Sequence, residues 1–259
     1  MTGYFLHLLN PAPASAREAV FLDPFCGVGN DLISLCKAGG TGHAVAGCDV
    51  DLNCLLCASR NLELYGVEKD RALLAWCDST RLLRGLEGGR RLRVGGESRT
   101  KEGYRIVKFG DLGDVRGDLV EGGGGGVWEG LGEATAEAED DRSNDGGGGV
   151  GYRVEGVFLS PPWNNTGYYS EETWKERRFS VKTDIAVGGL DGQELIDLAL
   201  AVAPRAVVFL PKNCLEEEVR LLSSGQEGER EVEFYEHELN GKVKTAAAYV
   251  SKAIIESAE

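Results

Sequence analysis

Short apolar runs recur along this chain, each closed by an acid, a glycine or a proline, with segments of helical period between them. The runs predict strands over 20–25, 44–49, 72–77, 154–159, 206–210, 232–239 and 245–250. Helices are predicted over 30–38 and 52–65; the second carries Leu52, Leu55, Leu56, Ser59 and Leu62 on one face and meets Gly66 as its stop. A third helix starts at Asp191, where Glu194 three residues on completes a capping box, and ends before Pro204; a short one covers 215–222. Asn240-Gly241 between the last two runs is a hairpin signal. Strands alternating with helices give an α/β fold with a mostly parallel sheet, and the closing hairpin adds an antiparallel strand.

The alternation breaks over 84–151. This stretch holds the glycine runs 122–126 and 146–149, separated by an acidic, alanine-rich segment. Such composition buries too little apolar area to offset chain ordering, so a largely disordered interruption of one domain, 1–259, is expected. Within it 92–109 alternates loosely (Tyr104, Ile106, Phe109) and reads at most as a loose hairpin. Deleting 86–150 is then expected to leave folding nearly unchanged, because closure entropy grows only logarithmically with loop length.

Composition narrows the class. No run approaches the roughly 20 apolar residues of a membrane span, and the apolar segment 4–9 is too short for a signal peptide and has no positive flank. Seven cysteines is an odd count, and Cys26, Cys36, Cys48 and Cys77, in apolar contexts, read as small buried hydrophobes of a reducing compartment, so the chain is expected not to be secreted. Cys54-x-x-Cys57 lies inside a predicted helix with no second Cys or His pair nearby, so no metal is expected. The formal net charge of −14 is unlike a general nucleic-acid binder, but residues 81–116 hold ten Lys/Arg against five Asp/Glu.

The candidate chemistry sits at strand ends. The first strand closes on Asp23-Pro24-Phe25-Cys26-Gly27-Val28-Gly29-Asn30-Asp31, an acid and a glycine turn opening a helix. The second closes on Asp49-Val50-Asp51, and an acid there is placed to accept from ribose hydroxyls. The third ends at Asp78. The turn lacks the third glycine of the dinucleotide fingerprint and the lysine of a P-loop. An acid ahead of it disfavours pyrophosphate and suits the sulfonium and ammonium of S-adenosylmethionine. Asp23, Phe25, Gly27, Gly29, Asp49 and Asp78 are therefore the candidate cofactor residues. The fourth strand ends in Ser160-Pro161-Pro162-Trp163. Two prolines offer no N–H, so the Ser160 and Pro161 carbonyls meet few competing donors. Such a corner accepts hydrogen bonds from a flat amine, and Trp163 offers a stacking surface. The plainer alternative is a stiff turn with Trp163 as a lid on the core.

These segments resemble the trimethylguanosine synthase family of RNA cap guanine-N2 methyltransferases. The resemblance rests on the glycine turn, on Cys48-Asp49-Val50-Asp51 with Ala58-Ser59-Arg60-Asn61-Leu62-Glu63-Leu64-Tyr65-Gly66, and on Val157-Phe158-Leu159-Ser160-Pro161-Pro162-Trp163. Val208-Phe209-Leu210-Pro211-Lys212-Asn213 and Leu239-Asn240-Gly241-Lys242-Val243-Lys244-Thr245 complete it. It implies a Rossmann-like class I S-adenosylmethionine-dependent methyltransferase that acts on 7-methylguanosine-capped RNA. It further implies a nuclear (nucleolar or Cajal-body) or cytoplasmic location. Catalysis falls to Ser160, Pro161, Pro162 and Trp163; Asn61 lies beside the base, and Tyr168, Lys212 and Lys244 bind the cap phosphates. The family's Gly-Val-Gly-Gly-Asn is here Gly27-Val28-Gly29-Asn30-Asp31, and its Trp-Gly-Gly is Trp163-Asn164-Asn165. Asparagine tolerates left-handed geometry, so both turns are expected to survive. Residues 1–20 do not resemble the aromatic and basic extension with which the family closes over the cap. Two other readings stand beside this one: a methyltransferase for another base or a protein amide, and a truncated domain that binds cofactor without turnover.

Overall fold

The computed structural model describes residues 19–38, 44–95, 98–109, 132–137, 150–163, 178–225 and 228–252. The chain divides into two compact units, Met1–Glu155 and Gly156–Glu259.

The first unit contains β1 (Ala19–Asp23), α1 (Asn30–Ala38), β2 (Ala44–Asp49), α2 (Leu52–Leu64), β3 (Ala72–Trp76) and α3 (Ser79–Leu86). β4 (Arg91–Val94), β5 (Arg105–Phe109), β6 (Gly132–Glu137) and the start of β7 (Val150–Leu159) follow. β1, β2, β3, β5 and β6 run parallel in that order, and β4 lies antiparallel between β6 and the start of β7. Both faces of the β1–β3 sheet are covered, so these strands are apolar throughout rather than alternating: all five residues of β1 are buried. α1 packs Leu32, Ile33, Leu35 and Cys36 inward, and α2 packs Leu52, Leu55, Ala58, Ser59 and Leu62. Leu56, expected on that face, is only half-buried. Gly66, at φ +69°, turns the chain so that Val67 N–H reaches the Leu62 carbonyl at 2.9 Å, a helix stop that favours glycine.

The described parts of 84–151 correct the expectation of a loose hairpin. β4 and β5 are not partners: β5 extends the parallel sheet beside β3, and β4 pairs with β6 and β7. Leu86, Leu92 and Tyr104 are 0 % exposed, Ile106 and Val107 are nearly so, and the Tyr104 hydroxyl donates to the Val67 carbonyl at 2.6 Å. Ser59 binds Thr100 and Glu102, each at 2.6 Å, and so ties the 98–104 loop to α2. The glycine runs lie outside the described residues. Deletion of 86–150 is accordingly expected to abolish the cooperative melt followed by circular dichroism. Truncating one core aromatic such as Tyr104 costs about 3–5 kcal/mol, against a total stability of about 5–15 kcal/mol.

In the second unit the end of β7 leads to α4 (Val181–Asp184), β8 (Ala186–Val187), β9 (Leu190–Asp191), α5 (Gly192–Val202) and β10 (Arg205–Pro211). α6 (Glu216–Arg220), β11 (Ser224–Gly225), β12 (Gly228–Leu239) and β13 (Lys242–Lys252) complete it. The end of β7 runs parallel to β10; β13 pairs antiparallel with β10, and β12 with β13. The capping box of α5 is present in both directions, Glu194 N–H to Asp191 at 2.9 Å and Asp191 N–H to Glu194 at 2.8 Å. A Cβ on Gly192 would lie 2.0 Å from the Val181 carbonyl oxygen, so α4 and α5 approach this closely only because position 192 has no side chain. The last two strands turn at Asn240 (φ +54°) and Gly241 (φ +69°), the doubly left-handed turn that matches strand twist. The fold is α/β and Rossmann-like, mostly parallel with a C-terminal antiparallel hairpin, as expected of a class I methyltransferase.

Candidate functional site

Parallel pairing puts the carboxyl ends of β1, β2 and β3 at one edge of the first unit, and with them Asp23, Asp49 and Asp78. The turn after β1 is pinned to β2. Cys26 N–H donates to the Cys48 carbonyl at 2.9 Å, and Gly27 N–H donates to the Asp49 carboxylate at 2.9 Å. Gly27 and Gly29 adopt φ of +49° and +87°, and a Cβ on Gly29 would come within 3.0 Å of Ala58 Cβ. Both glycines are thus required, one by conformation and one also by contact with α2. Asn30 is not left-handed; it opens α1, so the asparagine that stands where the resemblance has a third glycine is absorbed by the helix and not by the turn. Asn164 and Asn165 lie outside the described residues.

Asp23 is fully buried. One carboxylate oxygen accepts from Phe25 N–H at 3.2 Å; the other, Oδ2, is buried without a hydrogen bond. Burial, with Asp31 and Asp49 adding like charge, pushes its pKa well above the usual carboxylate range although the Phe25 bond pulls it down. Asp49 is half-buried and accepts from Gly27 N–H and, at 2.8 Å, from Asp51 N–H. Burial raises its pKa too, against the pull of those two bonds. Such a pair, one carboxylate with an unsatisfied buried oxygen, fits a cationic ligand: a cation at Asp23 restores what desolvation costs. Asp78 has a further role that the sequence did not disclose. It caps α3, accepting from Thr80 Oγ1 at 2.6 Å and Arg81 N–H at 2.9 Å. Burial raises its pKa, yet these bonds outweigh that and leave it below its usual value. Phe25 is half-buried. Asn61 Nδ2 donates to the Val28 carbonyl at 2.9 Å, so Asn61 locks the glycine turn with its amide nitrogen and keeps its carbonyl oxygen for another donor. Ser79 was not foreseen; its hydroxyl donates to the Pro24 carbonyl and holds the turn from the β3 side.

The second unit carries the other candidates. Ser160 is half-buried with no hydrogen bond among the described residues, Pro161 is buried and Pro162 exposed. Trp163 is half-buried, forms a bridge with Ile185, stacks on Phe209 (5.7 Å between centroids, 20° between planes) and meets Phe179 edge-on at 6.1 Å. Phe179 N–H in turn donates to the Asn213 carbonyl at 3.1 Å, which ties the tryptophan's surroundings to the loop carrying Lys212. Lys212 follows Pro211, which pairs with Thr245, and Lys244 precedes Thr245. Lys212 is the turn residue that follows the last pair of the β10–β13 ladder, Pro211 with Thr245. Both lysines are exposed and neither forms an ion pair among the described residues. Lys244 is also the residue skipped where the β12–β13 register shifts, a bulge of the kind that re-aims side chains. Two exposed lysines thus stand at one end of the β10–β13 ladder, and β12 places Glu238 against neighbouring Val243. Tyr168 lies outside the described residues.

Among the described residues there is no group of three or more His, Cys, Asp or Glu arranged to hold a metal, and no helix long and apolar enough to cross a membrane. Cys54 is half-buried and bonds Asp51, and Cys57 is exposed.

Loss of the Asp49 carboxylate is expected to weaken S-adenosylmethionine binding in Asp49→Ala by about 1–3 kcal/mol, the usual cost of deleting hydrogen bonds to a charged group. Unchanged affinity in calorimetry would overturn the assignment.

The sequence profile of the RNA cap guanine-N2 methyltransferases matches residues 18–101 and 146–253. It therefore spans β4 and leaves out β5 and β6, so the stretch foreign to the family is shorter than 84–151. Solved structures similar to this chain include an rRNA methylase from Streptococcus thermophilus, 12 % identical over 97 % of this chain and 94 % of that one, with TM-score 0.42. TrmN from Thermus thermophilus is 13 % identical over 97 % of this chain and 48 % of that one, with TM-score 0.47. A human methyltransferase 10 domain containing protein is 11 % identical over 96 % and 79 %, with TM-score 0.42.

Proposed function

The chain belongs to the RNA cap guanine-N2 methyltransferase family, whose members are S-adenosylmethionine-dependent methyltransferases, and on that premise we propose that it methylates the exocyclic N2 of a 7-methylguanosine RNA cap. The observation that supports this best is in the second unit. The amine-accepting corner Ser160-Pro161-Pro162, the Trp163 ring and the Lys212–Lys244 pair all stand at the carboxyl end of β7 and β10, which is the start of β13. A flat amine, a cationic ring and a chain of phosphates are the parts of a 7-methylguanosine cap.

In the first unit Asp23 would hold the cationic amino-acid end of S-adenosylmethionine, Asp49 its ribose hydroxyls and Asp78 its adenine, with Phe25, Gly27 and Gly29 shaping the turn. The bound cofactor supplies an electrophilic methyl group on a sulfonium. The N2 lone pair is delocalised into the guanine ring and is a poor nucleophile. The Ser160 hydroxyl and the Ser160 or Pro161 carbonyl would accept the amine hydrogens, localise the lone pair and fix its direction. Holding the amine in one orientation supplies most of the rate. Trp163 would stack on the base, and an N7-methylated guanine adds a cation–π term of about 1–2 kcal/mol when desolvated. Asn61 would offer its carbonyl oxygen to the base edge; Tyr168, Lys212 and Lys244 would hold the phosphates. The basic excess over 81–116 supports contact with RNA beyond the cap, and a nuclear or cytoplasmic location goes with that substrate.

Mass spectrometry of a 7-methylguanosine cap dinucleotide incubated with the protein and S-adenosylmethionine tests the reading. A mass gain of one or two methyl groups on the N7-methylated cap, and little on the unmethylated cap, is expected. Bound cofactor without product would favour the non-catalytic alternative.

A further inference from the structure

One large side chain at the carboxyl edge of the first unit has no part in the assignments above. Trp76 is the last residue of β3, as Asp49 is of β2, and the two are register partners. Register partners on neighbouring strands share a face of the sheet, so the indole stands on the same face as the carboxylate assigned to the ribose. Its N–H donates to the Val50 carbonyl at 3.0 Å, one residue past Asp49. A tryptophan turns about two side-chain bonds, and a hydrogen bond from the ring to the end of the next strand fixes both. Trp76 is only half-buried, and its ring meets no other aromatic ring and no cation among the described residues. Val50 beside it is 43 % exposed. The structure of a nucleoside supplies the occupant. Base and hydroxyls sit on adjacent carbons of the sugar, so a ribose held at Asp49 carries its base to this rim. Asp78, assigned to that base, spends Oδ1 on the cap of α3. An edge contact from its other oxygen leaves the flat faces of the purine in water.

We propose that Trp76 is a binding residue for the cofactor: its indole stacks on the adenine of S-adenosylmethionine and makes the site selective for a ligand that carries a base. This rests on the cofactor reading above and is independent of the cap reading. Trp76 lies outside the segments that carry the family resemblance, so its role is read from its place in this sheet. The bond to Val50 couples the stacking surface to the ribose acceptor. Asp49 and Val50 are consecutive, so any shift of the end of β2 moves both together and keeps the base and sugar sites in one relation. Removal of the ring therefore takes away the hold on the base and leaves the holds on the ribose and the amino-acid end in place.

The test uses two ligands that differ by one group: S-adenosylhomocysteine, and S-ribosylhomocysteine, which keeps the ribose and the amino acid but has no base. Calorimetry gives the first affinity directly and the second by competition, with Tm measured in parallel. The wild type should strongly prefer the ligand with the base. Trp76→Ala is expected to weaken S-adenosylhomocysteine about 5- to 150-fold, the worth of one base stacked on an aromatic ring. Its affinity for S-ribosylhomocysteine should stay within about twofold of wild type, so that the preference shrinks by the whole of the loss. Trp76→Phe keeps a ring face without the anchoring N–H and should lie between the two. A ring that merely braces the ends of β2 and β3 predicts otherwise: both ligands would weaken by the same factor as Tm falls. That result would overturn the proposal, as would an Ala variant with unchanged affinity for S-adenosylhomocysteine. Asp49→Ala measured alongside separates the two claims, because it should weaken both ligands through the ribose they share. If it does so while Trp76→Ala is silent, only the role of Trp76 fails. If the wild type binds no S-adenosylhomocysteine, the cofactor reading fails and Trp76 with it.

Discussion

Replacing Trp163 with alanine is expected to abolish methyl transfer to a 7-methylguanosine cap while leaving the affinity for S-adenosylmethionine unchanged. The carboxylates assigned to the cofactor, Asp23 and Asp49, belong to the unit Met1–Glu155, whereas Trp163 belongs to Gly156–Glu259. Loss of the ring removes the stacking surface and its attraction for a positively charged base, and it deletes none of the carboxylates that the cofactor reading invokes. The contacts with Phe179 and Phe209 add a stability cost, so Tm should fall, but by less than the roughly 3–5 kcal/mol of a fully buried aromatic, because Trp163 is only half-buried. Calorimetry well below the melting range keeps the two effects apart. Trp163→Phe retains a ring of weaker quadrupole and should keep partial activity. Unmethylated guanosine caps should be poor substrates for the wild type, and the gap to the methylated cap should narrow in the Phe variant. A folded Ala variant that still methylates the cap removes the base-stacking role. One that loses cofactor and cap binding together with its fold makes Trp163 a lid on the core.

Where local chemistry decides an element, the sequence discloses it. Asp191 and Glu194 specify the start of α5 by reciprocal hydrogen bonds, and Asn240-Gly241 specifies the last turn by two left-handed residues. The acids Asp23 and Asp49 were legible because a parallel sheet delivers its strand ends to one edge. Other elements were hidden by a stronger competing signal. Arg91-Leu92-Arg93-Val94 alternates with the strand period, and Leu92 and Val94 are buried, yet the glycine-rich composition around them reads as disorder. α3 is hidden in the sequence because its cap, Asp78, reads as a ligand acid, and because Gly85 lowers the helix propensity of a short segment. There Phe109 of β5 comes within 2.8 Å of where a Cβ would stand, so the glycine serves packing. Phe179 and Phe209 look like ordinary strand and loop hydrophobics; only the fold shows that both converge on Trp163. Sequence patterns report what a residue does to its own backbone. They report contacts between distant segments only where a motif has already been recognised.

Asp23→Asn is expected to make the free protein more stable and to cripple cofactor binding. Asp23 is fully buried, one of its oxygens has no hydrogen bond, and burial with the nearby Asp31 charge raises its pKa. A carboxyl group whose folded pKa is raised holds its proton more tightly folded than unfolded. Its unfavourable contribution is therefore absent below the unfolded value of about 3.9. It grows as pH rises and is complete above the folded pKa. Asparagine keeps the shape and the oxygen that accepts from Phe25 N–H but cannot ionise. At neutral pH the variant should melt above the wild type, by about 2–4 °C for each kcal/mol recovered, and the difference should vanish in acid. With S-adenosylmethionine the order should reverse. The wild-type carboxylate gains a cationic partner that offsets its desolvation, while the amide lacks the charge, a loss of about 1.5–3 kcal/mol in affinity. For the same reason wild-type affinity for S-adenosylmethionine should increase with pH until Asp23 is ionised, and that slope should be missing in the variant. Thermal melts of both proteins between pH 4 and 8, with and without the cofactor, read all of these outcomes. A variant that is less stable than wild type at neutral pH yet binds the cofactor normally would make Asp23 a structural acid, and the cationic end of the cofactor would need another holder.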